Sequence, residues 1–324
     1  MRKMKYAQAI RETLDEAMAK DDRIIIIGED VGYIGGNFKC TEGLLEKYGD
    51  LRVKDSPISE QGFVGMGVGM ALTGLRPIVE LMFSDFMLVA ADQIINQMAK
   101  ITYMSGGQAK VPMVIRCPIG AGRSSAAQHS QSMQAMIAHF PGMKVVVPST
   151  AQEAAGLLKT AIADDNPVVF FEHKMEYNKE YEVADVIEPI PFGKARIARE
   201  GSDITIAATS SMVMKSEEAA KRLEKEGISC EIIDLRTIVP LDKETIIESV
   251  KKTGKLLVVD EAHERCGIGA EVAAAVADDV FYYLDAPVGR IGNPDVPLPF
   301  SPSLEFPLIP SADKVYEKVK TYFK

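Results

Sequence analysis

The stretch Asp55-Ser-Pro-Ile-Ser-Glu-Gln-Gly-Phe-Val-Gly-Met-Gly-Val-Gly-Met-Ala-Leu-Thr-Gly-Leu-Arg-Pro77 predicts a helix from Glu60 to Leu72, leading into a strand at Pro77-Ile-Val-Glu-Leu81. A glycine inside a helix costs about 1 kcal/mol relative to alanine. Gly62, Gly65, Gly67 and Gly69 therefore imply a close approach by another backbone or a ligand. Dinucleotide folds also carry Gly-x-Gly runs, but there the run follows a strand directly and cradles phosphate. Here Ser-Pro-Ile-Ser-Glu intervenes, which weakens that reading.

Strands and helices alternate on both sides of this stretch. Tyr6 to Lys20 places Ala7, Ile10, Leu14, Ala17 and Met18 on one helical face. Ile24-Ile-Ile-Ile27 reads as a strand buried on both sides, as parallel sheets require. Further buried strands are predicted at Met113–Arg116, Val145–Val147 and Val168–Phe171, with helices at Met87–Thr102 and Ala151–Asp164. The first half is thus a parallel sheet covered by helices on both faces. A boundary is predicted near Glu188-Pro-Ile-Pro-Phe-Gly193. Beyond it come strands at Ile204–Ala208, Cys230–Asp234 and Leu256–Val259, with helices at Met214–Glu226 and Lys243–Lys252. Residues 1–188 and 189–324 are the two expected domains. The proline-rich stretch from Pro294 to Pro310 reads as an extended strap before a last helix, Ala312 to Tyr322.

Two domains agree with a chain of 324 residues. The net charge of −9 argues against nucleic acid, whose phosphates select basic faces. Cys40, Cys117, Cys230 and Cys266 form no Cys-x-x-Cys pair and read as reduced thiols. No apolar signal region follows the charged start, and no run is long enough to span a bilayer, so a soluble cytoplasmic protein is expected.

Taken alone, Glu60 reads as a first-turn glutamate stabilised by the helix dipole after a Ser59 cap. His129, in Gln128-His-Ser-Gln131, follows the small-residue stretch Gly120-Ala-Gly-Arg-Ser-Ser125, a loop leaving a strand end, where ligands bind in open α/β sheets. Phe86 reads as packing at a helix start, and Glu29 as the end of a buried strand. His139, His173 and His263 lack metal-ligand spacing and read as structural.

The step Ile58-Ser-Glu60 followed by a glycine-rich helix, with the Gln-His-Ser-Gln tetrad, resembles the beta subunits of the thiamin-diphosphate-dependent 2-oxo acid and acetoin dehydrogenases. The resemblance runs through nearly the whole chain. It implies a pyrimidine-binding α/β domain followed by a smaller transketolase-type C-terminal α/β domain. It implies that Glu60 hydrogen-bonds the aminopyrimidine of the cofactor and drives its activation. It gives Ile58 and Phe86 contacts to the same ring, Glu29 a place in an acidic passage, and His129 a position facing substrate and the arriving lipoyl group. It also implies a potassium ion held in the loop carrying Ala161, Ile162, Asp164 and Asn166.

The Gly-Asp-Gly run that holds the diphosphate through Mg²⁺ in such enzymes is absent. In the family it lies on a separate alpha chain, so two alpha and two beta chains are expected, each cofactor shared between an alpha and a beta. The lipoyl acyltransferase core is the other expected partner, with Asp278, Asp279 and Asp285 as the acidic docking candidates. The runs Ser84-Asp-Phe-Met-Leu-Val-Ala-Ala-Asp-Gln-Ile-Ile-Asn96 and Cys117-Pro-Ile-Gly-Ala-Gly-Arg123 look closest to the acetoin-type branch, with pyruvate and branched 2-oxo acids as alternative substrates. A nicotinamide oxidoreductase and a non-catalytic scaffold are the competing classes.

Overall fold

The computed structural model describes residues Met1–Lys324, which divide into two compact units. The first comprises residues 1–119 and 136–192, the second residues 120–135 and 193–324. This differs from the linear division at 188 in one instructive respect. The segment 120–135 lies within the first half of the chain, yet it packs as part of the second unit.

In the first unit, parallel strands run in the order Lys144–Val146, Val168–His173, Val114–Ile119, Arg76–Glu80, Ile24–Gly28, Val53–Asp55. Each long apolar run predicted as a doubly covered strand is one. All residues of Ile24–Gly28, Val114–Ile119 and Val168–His173 are buried. The helix Tyr6–Lys20 turns Ile10, Leu14 and Met18 inward. They join Ala154, Leu157, Leu158 and Ala161 of the helix Ala151–Ala163 in one core with Ile24, Ile26, Ile78 and Phe170. Full burial of such a side chain stabilises by about 1.5–3 kcal/mol. Arg2–Lys5 and Glu180–Val183 form a separate antiparallel ribbon.

The expected helix Met87–Thr102 is broken into three. A 3₁₀ turn spans Ser84–Leu88, a π-helix Gln93–Met98, and a short α-helix Ile101–Met104. A Cβ on Gly65 would lie 3.1 Å from Gln93 Oε1, so the π turn packs where the glycine-rich helix offers no side chain. Wide turns of this kind recur at functional sites. The polar side chains along this stretch bond largely to one another. Asn96 Nδ2 donates to Asp92 at 2.8 Å, and Lys100 to Asn96 at 2.8 Å.

The second unit has a sheet ordered Gly289–Asn293, Leu256–His263, Ile204–Ala208, Cys230–Asp234, Arg196–Arg199, parallel except for the last pair. Helices Met212–Leu223, Lys243–Thr253, Ile268–Val280 and Ala312–Lys320 belong to this unit. Asp242 and Ser311 cap two of them by accepting from the backbone N–H groups of Thr245 and Lys314. The proline-rich segment is less extended than expected, because Pro302–Glu305 forms a helical turn with proline at its start. No helix is long and apolar enough to cross a membrane.

Candidate active site

The carboxyl ends of three neighbouring strands carry the first group of site residues. Ile24–Gly28 ends where a side chain cannot fit: a Cβ on Gly28 would lie 2.5 Å from the Glu80 carbonyl oxygen. The chain therefore turns at once. Asp30 takes a left-handed conformation, φ 56°. The Asp55 carboxylate accepts from the N–H groups of Gly32 (2.7 Å) and Tyr33 (3.1 Å), and Thr41 Oγ1 donates to Val31 O at 2.6 Å. This pinned loop holds Glu29, whose side chain is buried with Oε1 lacking any hydrogen-bond donor. Burial pushes the Glu29 carboxyl above the usual carboxylate range, and the negative charges of Glu60 and Asp30 push it further.

Glu60 is the first residue of the helix Glu60–Leu72 and is 6% exposed. The positive end of the helix dipole favours a carboxylate there. The expected Ser59 cap is not formed by its side chain. Ile58, on the preceding turn, is 84% exposed, unusual for an isoleucine that serves only the fold. Phe86 sits in the turn Ser84–Leu88, edge-on to Phe83 with ring centroids 6.0 Å apart. Glu29, Ile58, Glu60 and Phe86 thus all follow the carboxyl ends of adjacent strands, where open α/β sheets bind ligands. A buried acid at a helix start, an unpartnered carboxylate oxygen and an exposed isoleucine fit the donor nitrogens and flat ring of an aminopyrimidine. These residues would hold that end of thiamin diphosphate.

The glycine-rich helix is explained partly within its own unit. A Cβ on Gly67 would meet Val79 Cγ2 at 2.8 Å and Met113 Cε at 2.9 Å, whereas Gly69 faces open space.

His129 lies on a different unit from Glu60. It ends the short turn Ala127–His129 in the segment 120–135. That segment is conformationally tense: Gly120, Gly122, Ser124 and Ala126 have φ of 91°, 94°, 53° and 63°. Non-glycine residues pay about 1–2 kcal/mol in the left-handed region. Backbone N–H groups on the segment are met by buried carboxylates of the second unit, Glu261 and Glu305.

The turn expected to hold potassium has other cations beside it. Arg76 donates to the carbonyl oxygens of Ile162 (2.8 Å) and Asp164 (2.6 Å). Lys144 pairs with the Asp164 carboxylate, and Asn166 donates to it through both its backbone and side-chain nitrogens. The Ala161 carbonyl accepts from Asp164 N.

One buried cluster escaped sequence reasoning. Arg116, 2% exposed, donates to both Glu172 oxygens at 2.7 and 2.8 Å and to Glu80 Oε2 at 2.7 Å. Tyr177 OH adds a bond to Glu172 at 2.7 Å. Burial pushes the Glu80 carboxyl up, Glu172 adds to this, and Arg116 opposes it. An arginine and glutamates inside otherwise apolar strands were the available signal, but only sheet register pairs residues 36 and 56 positions apart.

Comparison with known proteins extends this geometry. Residues 2–180 match the family "Transketolase, pyrimidine binding domain", and residues 193–315 match "Transketolase, C-terminal domain". The chain is 50% identical over 313 residues to a Rickettsia felis protein, "Pyruvate dehydrogenase E1 component subunit beta", covering 97% of this chain and 96% of that one. It is 47% identical over 324 residues to the Cupriavidus necator "Acetoin:2,6-dichlorophenolindophenol oxidoreductase subunit beta", covering 97% and 96%. Among solved structures, "Split gene transketolase, inactive beta4 tetramer" matches with a TM-score of 0.80 at 25% identity, covering 98% and 97%. Full-length identity at this level, together with both domain matches, makes the chain a member of the beta-subunit family of thiamin-diphosphate-dependent 2-oxo acid and acetoin dehydrogenases, which are oxidoreductases of the transketolase-like fold.

Proposed function

We propose that this chain, with an alpha subunit, cleaves the bond between the carbonyl and carbinol carbons of acetoin, releasing acetaldehyde, and passes the two-carbon unit as an acetyl group to lipoyl-lysine, whose disulfide is reduced as the thioester forms. Bound thiamin diphosphate supplies the electron sink for that cleavage. The observation that carries the reading is the pair of buried acids, Glu29 and Glu60, at the carboxyl ends of neighbouring strands. Glu60 holds a ring nitrogen of the cofactor and stabilises the proton there. Glu29, whose carboxyl is pushed up by burial and by the charge of Glu60, belongs to the same acidic cluster. Ile58 and Phe86 flank the ring and exclude water from it. His129 faces the incoming lipoyl group.

Glu60→Gln tests this. The reconstituted alpha–beta enzyme should still bind cofactor, but proton exchange at the thiazolium carbon should slow by orders of magnitude, since the lost contact acts on the reactive state. An unchanged exchange rate removes Glu60 from the role.

Pyruvate is the second reading, supported by the 50% identity to a pyruvate-type relative against 47% for an acetoin-type one. Turnover of acetoin, pyruvate and branched 2-oxo acids by the reconstituted pair separates these. We place two alpha and two beta chains in the assembly, with Mg²⁺ and diphosphate on alpha, because no Gly-Asp-Gly run is present. Docking to the acyltransferase core would use the exposed Asp278, Asp279 and Asp285, of which Asp285 lies 3.7 Å from Lys255. A potassium ion at Ala161, Ile162, Asp164 and Asn166 would share its carbonyls with Arg76, and removal of potassium from the buffer should then lower the melting midpoint. Four free cysteines, three of them buried, agree with a cytoplasmic location.

A further inference from the structure

We infer that Glu305, in the proline-rich segment near the C-terminus, is a positioning residue for the loop that carries His129. The role rests on the reading of His129 given above. The loop's left-handed residues recur at every second position, Gly120, Gly122, Ser124 and Ala126. Positive-φ backbone lets N–H groups converge on an anion, as in a backbone nest. Here the anion is internal. Gly122 N donates to Glu305 Oε1 and Ser124 N to Oε2, both at 2.9 Å, and Ser124 Oγ adds a longer bond at 3.3 Å. Glu305 is fully buried.

Two more acids hold the same segment. Ala121 N donates to Glu261 Oε1 at 2.6 Å. At the far end, Gln134 Nε2 donates to both oxygens of Asp260 at 3.0 and 3.3 Å, and Thr209 Oγ1 fixes Asp260 at 2.5 Å. The segment is therefore anchored at residues 121–124 and at 134, with His129 midway between. Its central residues Ala127, Gln128 and Gln131 line a cavity of about 440 Å³ with His263 and with Asp295–Leu298 of the proline-rich segment. Strained residues persist only where their surroundings over-determine them, and they cluster at functional sites. Glu305 supplies that determination. It touches no reacting atom; it fixes where His129 stands.

The carboxylate matters because both its oxygens accept. In Glu305→Gln one oxygen becomes an NH₂ group facing a backbone N–H, so one end of the nest opens without loss of volume. The experiment uses the assembled alpha–beta enzyme and compares Glu305→Gln, Glu305→Asp and His129→Ala. Two half-reactions are followed: acyl transfer to a lipoyl domain, and reduction of an artificial dye acceptor that bypasses that domain. Expected for Glu305→Gln is a loss of about 10²-fold in kcat for acyl transfer, the scale of a displacement of about 1 Å, with KM for the small substrate unchanged. Dye reduction should be preserved. Glu305→Asp, which keeps the charge, should recover part of the loss. Trypsin should also cut the intact variant faster after the exposed Arg123.

Equal loss in both half-reactions would make Glu305 a merely structural residue and overturn the inference. So would normal acyl transfer in Glu305→Gln while His129→Ala is impaired. Normal acyl transfer in His129→Ala would instead overturn the reading of the site itself.

Discussion

Replacing Arg116 by methionine removes the positive charge of the buried cluster under the first sheet's carboxyl edge. Methionine keeps an unbranched apolar stem but stops short of the guanidinium, so a small cavity term adds to the electrostatic one. The charge change dominates. Three short bonds disappear, two to Glu172 and one to Glu80, leaving Glu172 fully buried with the Tyr177 hydroxyl still bonded to it. Removing one partner of a buried pair costs about 3–5 kcal/mol. For a unit of this size each kcal/mol moves the melting midpoint by about 2–4 °C, so the midpoint should fall by about 6–20 °C. Scanning calorimetry of the assembled enzyme reads this; a two-unit chain is not two-state, so the midpoint is the quantity to compare. The sign of the pH dependence is fixed as well. Glu80 already sits above the ordinary carboxylate range, and losing Arg116 removes the one influence lowering it. A carboxyl raised in the folded state is equally protonated in both states below the unfolded pKa, about 4.3. Above it, the unfolded chain ionises first and stability drains away as pH rises toward the folded pKa. The deficit of Arg116→Met should thus be smallest near pH 4 and grow toward neutrality. The triple variant Arg116→Met, Glu80→Gln, Glu172→Gln should regain most of it, as neutral replacements of buried ion pairs do. A midpoint drop below about 2 °C at neutral pH, or a deficit that grows on acidification, would refute the reasoning.

Glu29→Gln should raise the midpoint of the assembled enzyme relative to wild type, and by more at pH 7 than at pH 4, because a carboxyl raised by burial and by Glu60 costs stability as pH climbs through its range; a gap that narrows with pH contradicts this. Gly28→Ala should destabilise by about 1–3 kcal/mol, since its Cβ meets the Glu80 backbone oxygen at 2.5 Å and no side chain can swing away. A urea midpoint equal to wild type would show that the strand end yields. Charge reversal at Asp278 and Asp279 should weaken and desalt the association with a basic peripheral domain of the acyltransferase core, read as a smaller dependence of the on-rate on ionic strength. No change in either affinity or salt slope clears both residues of the interface.

The parts of the fold carried by local pattern were legible in the sequence. The tetra-isoleucine strand and the amphipathic first helix follow from composition and period alone, and each stands where that period puts it. The parts settled by distant residues were not. Ile268–Val280 is rich in alanine with valines on one face, and Gly289–Asn293 is a glycine-bearing edge strand, so neither stood out. The stretch after Phe86 has helical composition throughout, yet packing against the glycine helix widens it to a π turn at Gln93–Met98. Of the site, local pattern alone read Glu29, Glu60 and Phe86 as structural, and only the resemblance gave roles to them and to Ile58 and His129. Neither located Glu261 or Glu305, because a carboxylate that serves backbone N–H groups 140 or 183 positions away leaves no local trace.

The excursion of residues 120–135 sets a limit on how this chain can be divided. It leaves the first sheet after Ile119 and returns at Met136, before the strand Lys144–Val146. A polypeptide ended at Phe192 would retain every strand from Ile24 to His173. It would nevertheless contain a glycine-and-serine nest with its own counter-charges, Glu261 and Glu305, left behind on the discarded half. Exchange of the C-terminal unit between related chains therefore transplants the acceptors without the donors. Such hybrids will work only when the donor segment travels with them, so the heritable module is two separate pieces of sequence rather than one.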